Sequence, residues 1–301
     1  MTLESTHNRS SLNNTIIRGR EYILDHFAGS DLCQTLNHYA SEGSSYPSQG
    51  LAAKLKLTLD VLKTTAMDEA GTRVDYATLR SSSAYVEYRE TCLSQLQQFN
   101  PQQLPTVYDR RAFWINLYNA LVIDAVIAFD VQDSVTGGVL GPLAFFRRAA
   151  YTVAGRTVSL DDIEHGILRT NLGHPLLSGP HFPSDDPRIE WVLPLDPRVH
   201  FALNCAARSC PPIRSYAAGK LSTHLDLAAQ SFVNTTVTIR QGKIYLPELF
   251  HWYRGDFGGR QSVLHFLIQY LEDDRRPELL SMRNGELRFR YTPYDWSLNV
   301  L

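Results

Sequence analysis

Cysteine is scarce in this chain, neither sign of charge is in excess, and no long apolar run is free of polar residues. Four cysteines in 301 residues, Cys33, Cys92, Cys205 and Cys210, are too few to staple a fold of this length. Lysine plus arginine is 29 against 31 acids, a net charge of -2. No basic field therefore draws the chain to nucleic acid or to an anionic membrane, and neither partner is expected. The most apolar stretch, residues 112–129, is broken by Asn116, Asn119 and Asp124, which suits a buried helix better than a membrane span. No glycine-rich loop follows a predicted strand, so a nucleotide fold has little support and no cofactor is expected. Repeats at solenoid or propeller periods are absent. Residues 1–9 hold no apolar core behind a basic start, so no secretory signal is expected, and the protein is expected to be cytoplasmic with reduced thiols.

What is present is ordinary globular material, 44% hydrophobic and 20% charged, enough for one large core or two small ones. The Ser/Thr/Asn-rich first fifteen residues read as loose. Helical patterns follow at 17–39 and 51–66, joined by the Ser/Gly/Pro segment 41–50. That segment divides an N-terminal helical extension, 1–50, from a single domain, 51–301. A helix around 84–99 ends at Pro101 and Pro105. Residues 110–129 are apolar on nearly all sides and predict a central covered helix. Residues 151–160 read as a hairpin around Ala154-Gly155, and Ser159 with Asp162 as a capping box for a helix to Arg169. Beyond a Pro-rich loop, 199–205 reads as a buried strand and 223–233 as a helix. A second hairpin turns at Gln241-Gly242, and Pro247 opens a helix to about Asp256. A helix at 262–271 precedes the turn Asn284-Gly285 and a strand at 286–291. Helices early and hairpins late predict an α+β fold, a central buried helix packed on a mainly antiparallel sheet.

Several segments together carry a resemblance. They are Arg73-Val74-Asp75-Tyr76, Phe113-Trp114-Ile115-Asn116-Leu117-Tyr118-Asn119-Ala120-Leu121, Asp162-Ile163-Glu164-His165-Gly166, and Asp196-Pro197-Arg198-Val199-His200 running on to Cys205. Ser209-Cys210-Pro211-Pro212, Phe250-His251-Trp252-Tyr253-Arg254-Gly255-Asp256-Phe257 and Tyr294-Asp295-Trp296-Ser297-Leu298-Asn299 complete them. In this order they resemble the domain-of-unknown-function family 547 of bacteria and plants, over roughly residues 55–299. The two-cysteine segment resembles bacterial members; plant members keep the histidine at 200 and often lack the cysteine at 210. The resemblance implies no established activity, and it implies no universal cysteine chemistry.

Chemistry concentrates in residues 200–212. On a strand, His200, Ala202 and Asn204 would share one face and Cys205 the other, leaving Cys205 in the core. Cys210, biased to an extended backbone by Pro211, could turn back towards His200. A thiol beside an imidazole is what a cysteine nucleophile needs, and Arg208 would help hold the thiolate. His165 is the second candidate base, with Asp161 one helical turn before it. Asn119 could orient the base or donate to an oxyanion, or with Asn116 simply tie the helix to a neighbouring segment. Asn116, Asn204, Glu164, Trp252 and Tyr253 are candidate cleft residues, and Trp296 is expected to fold back and close the domain. Three readings stay open. The first is a cysteine/histidine-dependent hydrolase or acyl transferase acting on an amide, ester or thioester of a small molecule or peptide. The second is a non-catalytic scaffold that binds a protein partner. The third is a zinc domain using Cys205, Cys210, His200 and His165, although the four-residue gap between the cysteines is wide for zinc and strand alternation separates Cys205 from His200.

Overall fold

The computed structural model describes residues 3–30, 34–38, 48–137, 141–281 and 288–301. Cys33, segment 41–47 of the expected boundary and the Asn284-Gly285 turn lie outside them. The fold is α+β, with helices dominant and, among the described residues, two small sheets.

The central helix, Val107–Ala128, starts on a capping box in which Thr106 accepts from the Asp109 N–H while Asp109 accepts from the Thr106 N–H. Every residue from Arg111 to Ile127 is buried. By length and composition this helix could cross a membrane, but 94% of its apolar window is covered by the rest of the protein, as a core helix requires. Its buried amides and carboxylate are satisfied, while Arg111 Nε and Trp114 Nε1 have no hydrogen-bond partner. Asn116 bonds both the carbonyl and the N–H of Tyr216, and Asn119 donates to the Ala202 carbonyl and accepts from the Asn204 N–H. Asp124 accepts from Tyr85, Tyr151 and Arg89. The two asparagines therefore clamp the backbone of the loop that carries both candidate cysteines. This is the tying role anticipated for them.

Cover for this helix comes mostly from other helical segments, chiefly Ser48–Ala66, Tyr76–Ser81, Asp162–Leu168 and Ala218–Lys220. The expected sheet is present as small, mainly antiparallel pieces, whose strands of three to five residues are too short to span the 22-residue helix. Strands β1, Ala150–Val153, and β2, Arg156–Ser159, form the first expected hairpin, which reaches the helix through Tyr151 and Asp124. Strands β3, Thr238–Arg240, and β4, Lys243–Pro247, form the second. Strand β5, Phe289–Thr292, joins β4 in parallel, giving a mixed sheet. This sheet belongs to a second apolar cluster built on Phe201, Phe232, Phe250 and Leu264.

Three local expectations are corrected. The N-terminal residues are not loose from the start: a helix runs Leu3–Ala28, held where Asn14 accepts from Ser184 and where Glu21 and Asp25 pair with Arg147. Residues 199–205 are not a strand. Asp196 caps and Pro197 opens a 3-10 turn, Pro197–Phe201, and residues 199–204 are buried on every side, so the apolar alternation does not mark two faces. Pro247 ends β4, and only the short helix Leu249–Trp252 follows it. The C-terminal segment threads back across the molecule: Asn299 donates to Ala206 and accepts from Val74, Ser297 accepts from Arg208, and Ser134 donates to Trp296. Trp296 thus closes the fold as expected, and Tyr294 and Trp296 reach the loop of the cysteines.

Candidate active site

A cavity of about 370 Å³ lies between the segment Asp162–Leu168, the turn bearing His200, the cysteine loop and the C-terminal segment. Ser159 and Asp162 cap each other as the sequence predicts, but the helix that follows is wound as a π-helix. Asp162 is pinned by His181 and Arg188, so the wide π turn is fixed at its root and sets Asp161, Glu164 and His165 into the cavity wall. The left-handed residues Thr170 and Asn171 end it, and the chain returns through His174, a further wall residue.

Asp256 organises the imidazoles. Arg169 grips it with two bonds, Nε to Oδ2 at 2.6 Å and Nη2 to Oδ1 at 2.9 Å, and His200 Nε2 lies 2.9 Å from Oδ2. Burial pushes the Asp256 carboxyl up, but Arg169 and His200 outweigh burial and hold it at about 2. An ionised carboxylate only accepts, so Nε2 of His200 carries the proton. Burial lowers the pKa of His200 against the pull of Asp256, and a neutral ring protonated on Nε2 leaves Nδ1 as its lone-pair nitrogen. His200 is 3% exposed and stacks on Tyr253 with ring centroids 3.9 Å apart.

His165 is arranged the other way. Arg169 Nη1 sits 2.9 Å from its Nδ1, and a guanidinium only donates, so the proton of neutral His165 is on Nε2. That nitrogen faces Asp161 Oδ1 at 3.8 Å, too far for a hydrogen bond. Burial, then His174 and Arg169, drive its pKa well below the ordinary value. Of the two candidate imidazoles, His200 therefore has the geometry of a base and His165 that of a neutral donor. Burial also raises Asp161 to about 7 against the pull of Arg147, and lowers His174 to about 4.

Cys205 and Cys210 are joined as a disulfide with Cα atoms 6.2 Å apart, within the usual span. The expectation of reduced thiols fails for this pair, while Cys92 is free and buried. Cys205 lines the cavity, half-buried, on the same wall set as His200; the strand argument that separated them is overturned because no strand exists there. Cys210 is buried behind it and accepts from the Cys205 N–H at 3.0 Å. The Tyr294 hydroxyl lies 3.2 Å from one sulfur and 3.1 Å from the other. Between them Ala206 takes φ +63°, supported by an N–H bond to Asn204 Oδ1.

The other expected residues divide. Glu164, Asp161, Trp252 and Tyr253 line the cavity, with Glu164 accepting from the Tyr118 and Tyr253 hydroxyls at 2.9 and 2.6 Å. Asn116, Asn119 and Asn204 are engaged with backbone and do not line it. Arg208 is exposed and holds Ser297 through its backbone. Among the described residues no group of three His, Cys, Asp or Glu side chains is placed to hold a metal ion, so the zinc reading finds no ligand set. Sequence reasoning missed Asp256 and His174. Asp256 stood in a motif without a role, and no local pattern connects it to Arg169, 87 residues earlier.

Residues 102–233 match the family described as "Protein of unknown function, DUF547". The matched stretch holds the central helix, the π-helical wall, His200 and both cysteines. Asp256, Trp252, Tyr253 and Tyr294 lie beyond it and complete the cavity from the C-terminal side. No curated protein and no solved structure matches the chain.

Proposed function

We propose that the cavity is the active site of a cysteine-dependent hydrolase or acyl transferase acting on an amide, ester or thioester, working in the reduced state of the Cys205–Cys210 pair. The observation that carries this reading is the pairing of His200 with ionised Asp256 on the wall that also presents Cys205. An Nε2–H bond to a carboxylate fixes the tautomer and supports the imidazolium that forms when Nδ1 takes a proton. Cys205 replaces Cys210 as the nucleophile because it is the sulfur in the cavity wall. In the first half-reaction Nδ1 removes the thiol proton, the thiolate adds to the acyl carbon, and the tetrahedral adduct expels its leaving group, which takes the proton from His200. In the second, His200 deprotonates water or an acceptor, which attacks the thioester and releases Cys205, whose sulfur regains the proton. Two electrons and two protons from a thiol reductant open the disulfide beforehand. A cytoplasmic location suits this state, and the retained cysteine pair suits a bacterial-type member of the family.

Trapping tests it. Reduced protein is incubated with a panel of p-nitrophenyl acyl esters and acyl thioesters, and the intact mass and peptide map are read. One acyl group on Cys205, absent from Cys205→Ser, strongly reduced in His200→Ala and absent from oxidised protein, is the expected result. Acylation elsewhere, or acylation of Cys205 indifferent to His200, refutes the assignment and leaves a non-catalytic binding cavity.

A further inference from the structure

Among the described residues, the side chains that line the cavity include Asp161 and Glu164 but no lysine or arginine. Its three histidines do not balance these acids, since burial keeps each imidazole in the neutral form near neutral pH. Glu164 takes only tyrosine hydroxyls on its two oxygens, and among the described residues no ion pair involves it. Asp161 is 4% exposed, and its Oδ2 has no hydrogen-bond partner. Arg147 Nε stands 3.3 Å from that oxygen, also without a hydrogen bond, because the two terminal nitrogens of Arg147 are held by Glu21 and Asp25. Asp161 Oδ2 is thus closed off against Arg147, and Glu164, which no cation pairs at close range among the described residues, is the acid the cavity presents. The same cavity is lined by aromatic rings, Trp252, Tyr294 and Trp296, packed on one another at centroid distances of 4.7 to 5.8 Å. Desolvated acid beside aromatic faces is the chemistry that selects an organic cation, through charge-assisted hydrogen bonds and the ring quadrupoles.

We propose that this site takes a substrate with an ammonium group, its nitrogen against Glu164 with the Asp161 charge close behind, and its apolar body against Trp252 and Trp296. This names a substrate class for the hydrolase or acyl-transferase reading and rests on it only for the position of the reacting carbonyl. A free amine of this shape is also the class of acceptor or leaving group that the same reaction would use.

Binding decides the matter without turnover. Reduced full-length protein is titrated with phenethylammonium, 2-phenylethanol and 3-phenylpropanoate, following tryptophan fluorescence and calorimetry. The ammonium is expected to bind at least about tenfold more tightly than the alcohol, and the carboxylate not at all, the discrimination a desolvated charge pair provides. Glu164→Gln keeps an acceptor for a tyrosine hydroxyl and is expected to abolish the preference; Asp161→Asn, which leaves the tyrosine pair untouched, is expected to reduce it. Equal affinity for alcohol and ammonium, tighter binding of the acid, or no binding of any of the three overturns the proposal. So does a preference unchanged in both variants. Acyl trapping that fails while the ammonium preference holds removes the catalytic reading alone, and the reverse outcome removes the substrate class alone.

Discussion

Replacing Asp256 by asparagine separates two roles that one carboxylate performs. The side chain keeps its shape and one acceptor oxygen but loses its charge, so Arg169, 4% exposed at its side chain, is left buried with neutral partners alone, the amide oxygen, His165 Nδ1 and the Gly173 carbonyl. Breaking a buried pair from one side costs about 3–5 kcal/mol, and the retained amide oxygen places Asp256→Asn at the lower end and Asp256→Ala at the upper. For a chain of this size that is a fall in Tm of roughly 6–10 °C at the upper end, within reach of calorimetry. The chemical effect is distinct. An asparagine turned so that its oxygen accepts from Arg169 directs its NH2 at His200 Nε2, which must then accept, and the ring proton moves to Nδ1. The base is lost although the imidazole remains. In the reduced protein the rate of Cys205 alkylation by iodoacetamide, resolved by peptide mapping against pH, reports this directly. With His200 as partner the midpoint is expected below ~7.5, and in Asp256→Asn it returns towards ~8.5. The midpoint is the quantity to read, because a thiolate of lower pKa is also less nucleophilic and rates at one pH partly cancel. A wild-type midpoint near that of an ordinary thiol, or a midpoint unmoved by Asp256→Asn in folded protein, refutes the argument.

Three further outcomes follow from the same geometry. Asp161→Asn changes the pH dependence of stability: the wild-type carboxyl is raised from 3.8 to about 7, so its contribution is full below the unfolded pKa and lost as pH rises through about 7. Urea unfolding from pH 4 to 8 should show the variant gaining on wild type by up to about 4 kcal/mol across that window, and a parallel pair of curves would sink the assignment. Asp124→Ala leaves Arg89 and two tyrosine hydroxyls without their buried acceptor and should cost about 3–5 kcal/mol in the same assay, with a loss under 1 kcal/mol contradicting the network. In Gly166→Ala the added methyl would stand 2.3 Å from the Phe182 ring inside the π-helical wall, so a loss of about 1–3 kcal/mol is expected, together with weaker discrimination by the cavity, and an unchanged Tm would show that the wall can yield.

The parts of this fold legible in the sequence are those decided by local chemistry. A helix without a polar face must be covered, two amides three apart on it must find partners, and Ala154-Gly155 and Gln241-Gly242 turn two hairpins whose glycines take positive φ. Residues 199–205 imitate a strand because Val199, Phe201 and Leu203 alternate, but the stronger local signal is Asp196-Pro197, which begins a helical turn. The π winding of Asp162–Leu168 had no such signal, because it differs from an α-helix by one residue per turn and follows from what anchors its ends.

The site was legible as a set of residue types and illegible as a set of partners. His200, His165, Asp161, Glu164, Trp252 and Tyr253 all reach one cavity, yet the contact that distinguishes the imidazoles joins Asp256 to Arg169 and His200 across 87 and 56 residues. Whether each nitrogen meets an obligate donor or an obligate acceptor fixes its proton: Arg169 imposes Nε2–H on His165, and Asp256 imposes it on His200. The same tautomer has opposite consequences, since the lone pair of His165 is taken by Arg169 while the bond of His200 to Asp256 leaves its lone pair available. The central helix enters this chemistry twice: Tyr118 lines the cavity and donates to Glu164, and Asn119 holds Ala202 and Asn204 and thereby sets the turn between His200 and Cys205. Asn119→Ala should accordingly raise the midpoint of Cys205 alkylation while leaving the His200–Asp256 bond intact, and a lower midpoint would mean that the loop, freed of its clamp, reaches His200 more closely than the native backbone allows.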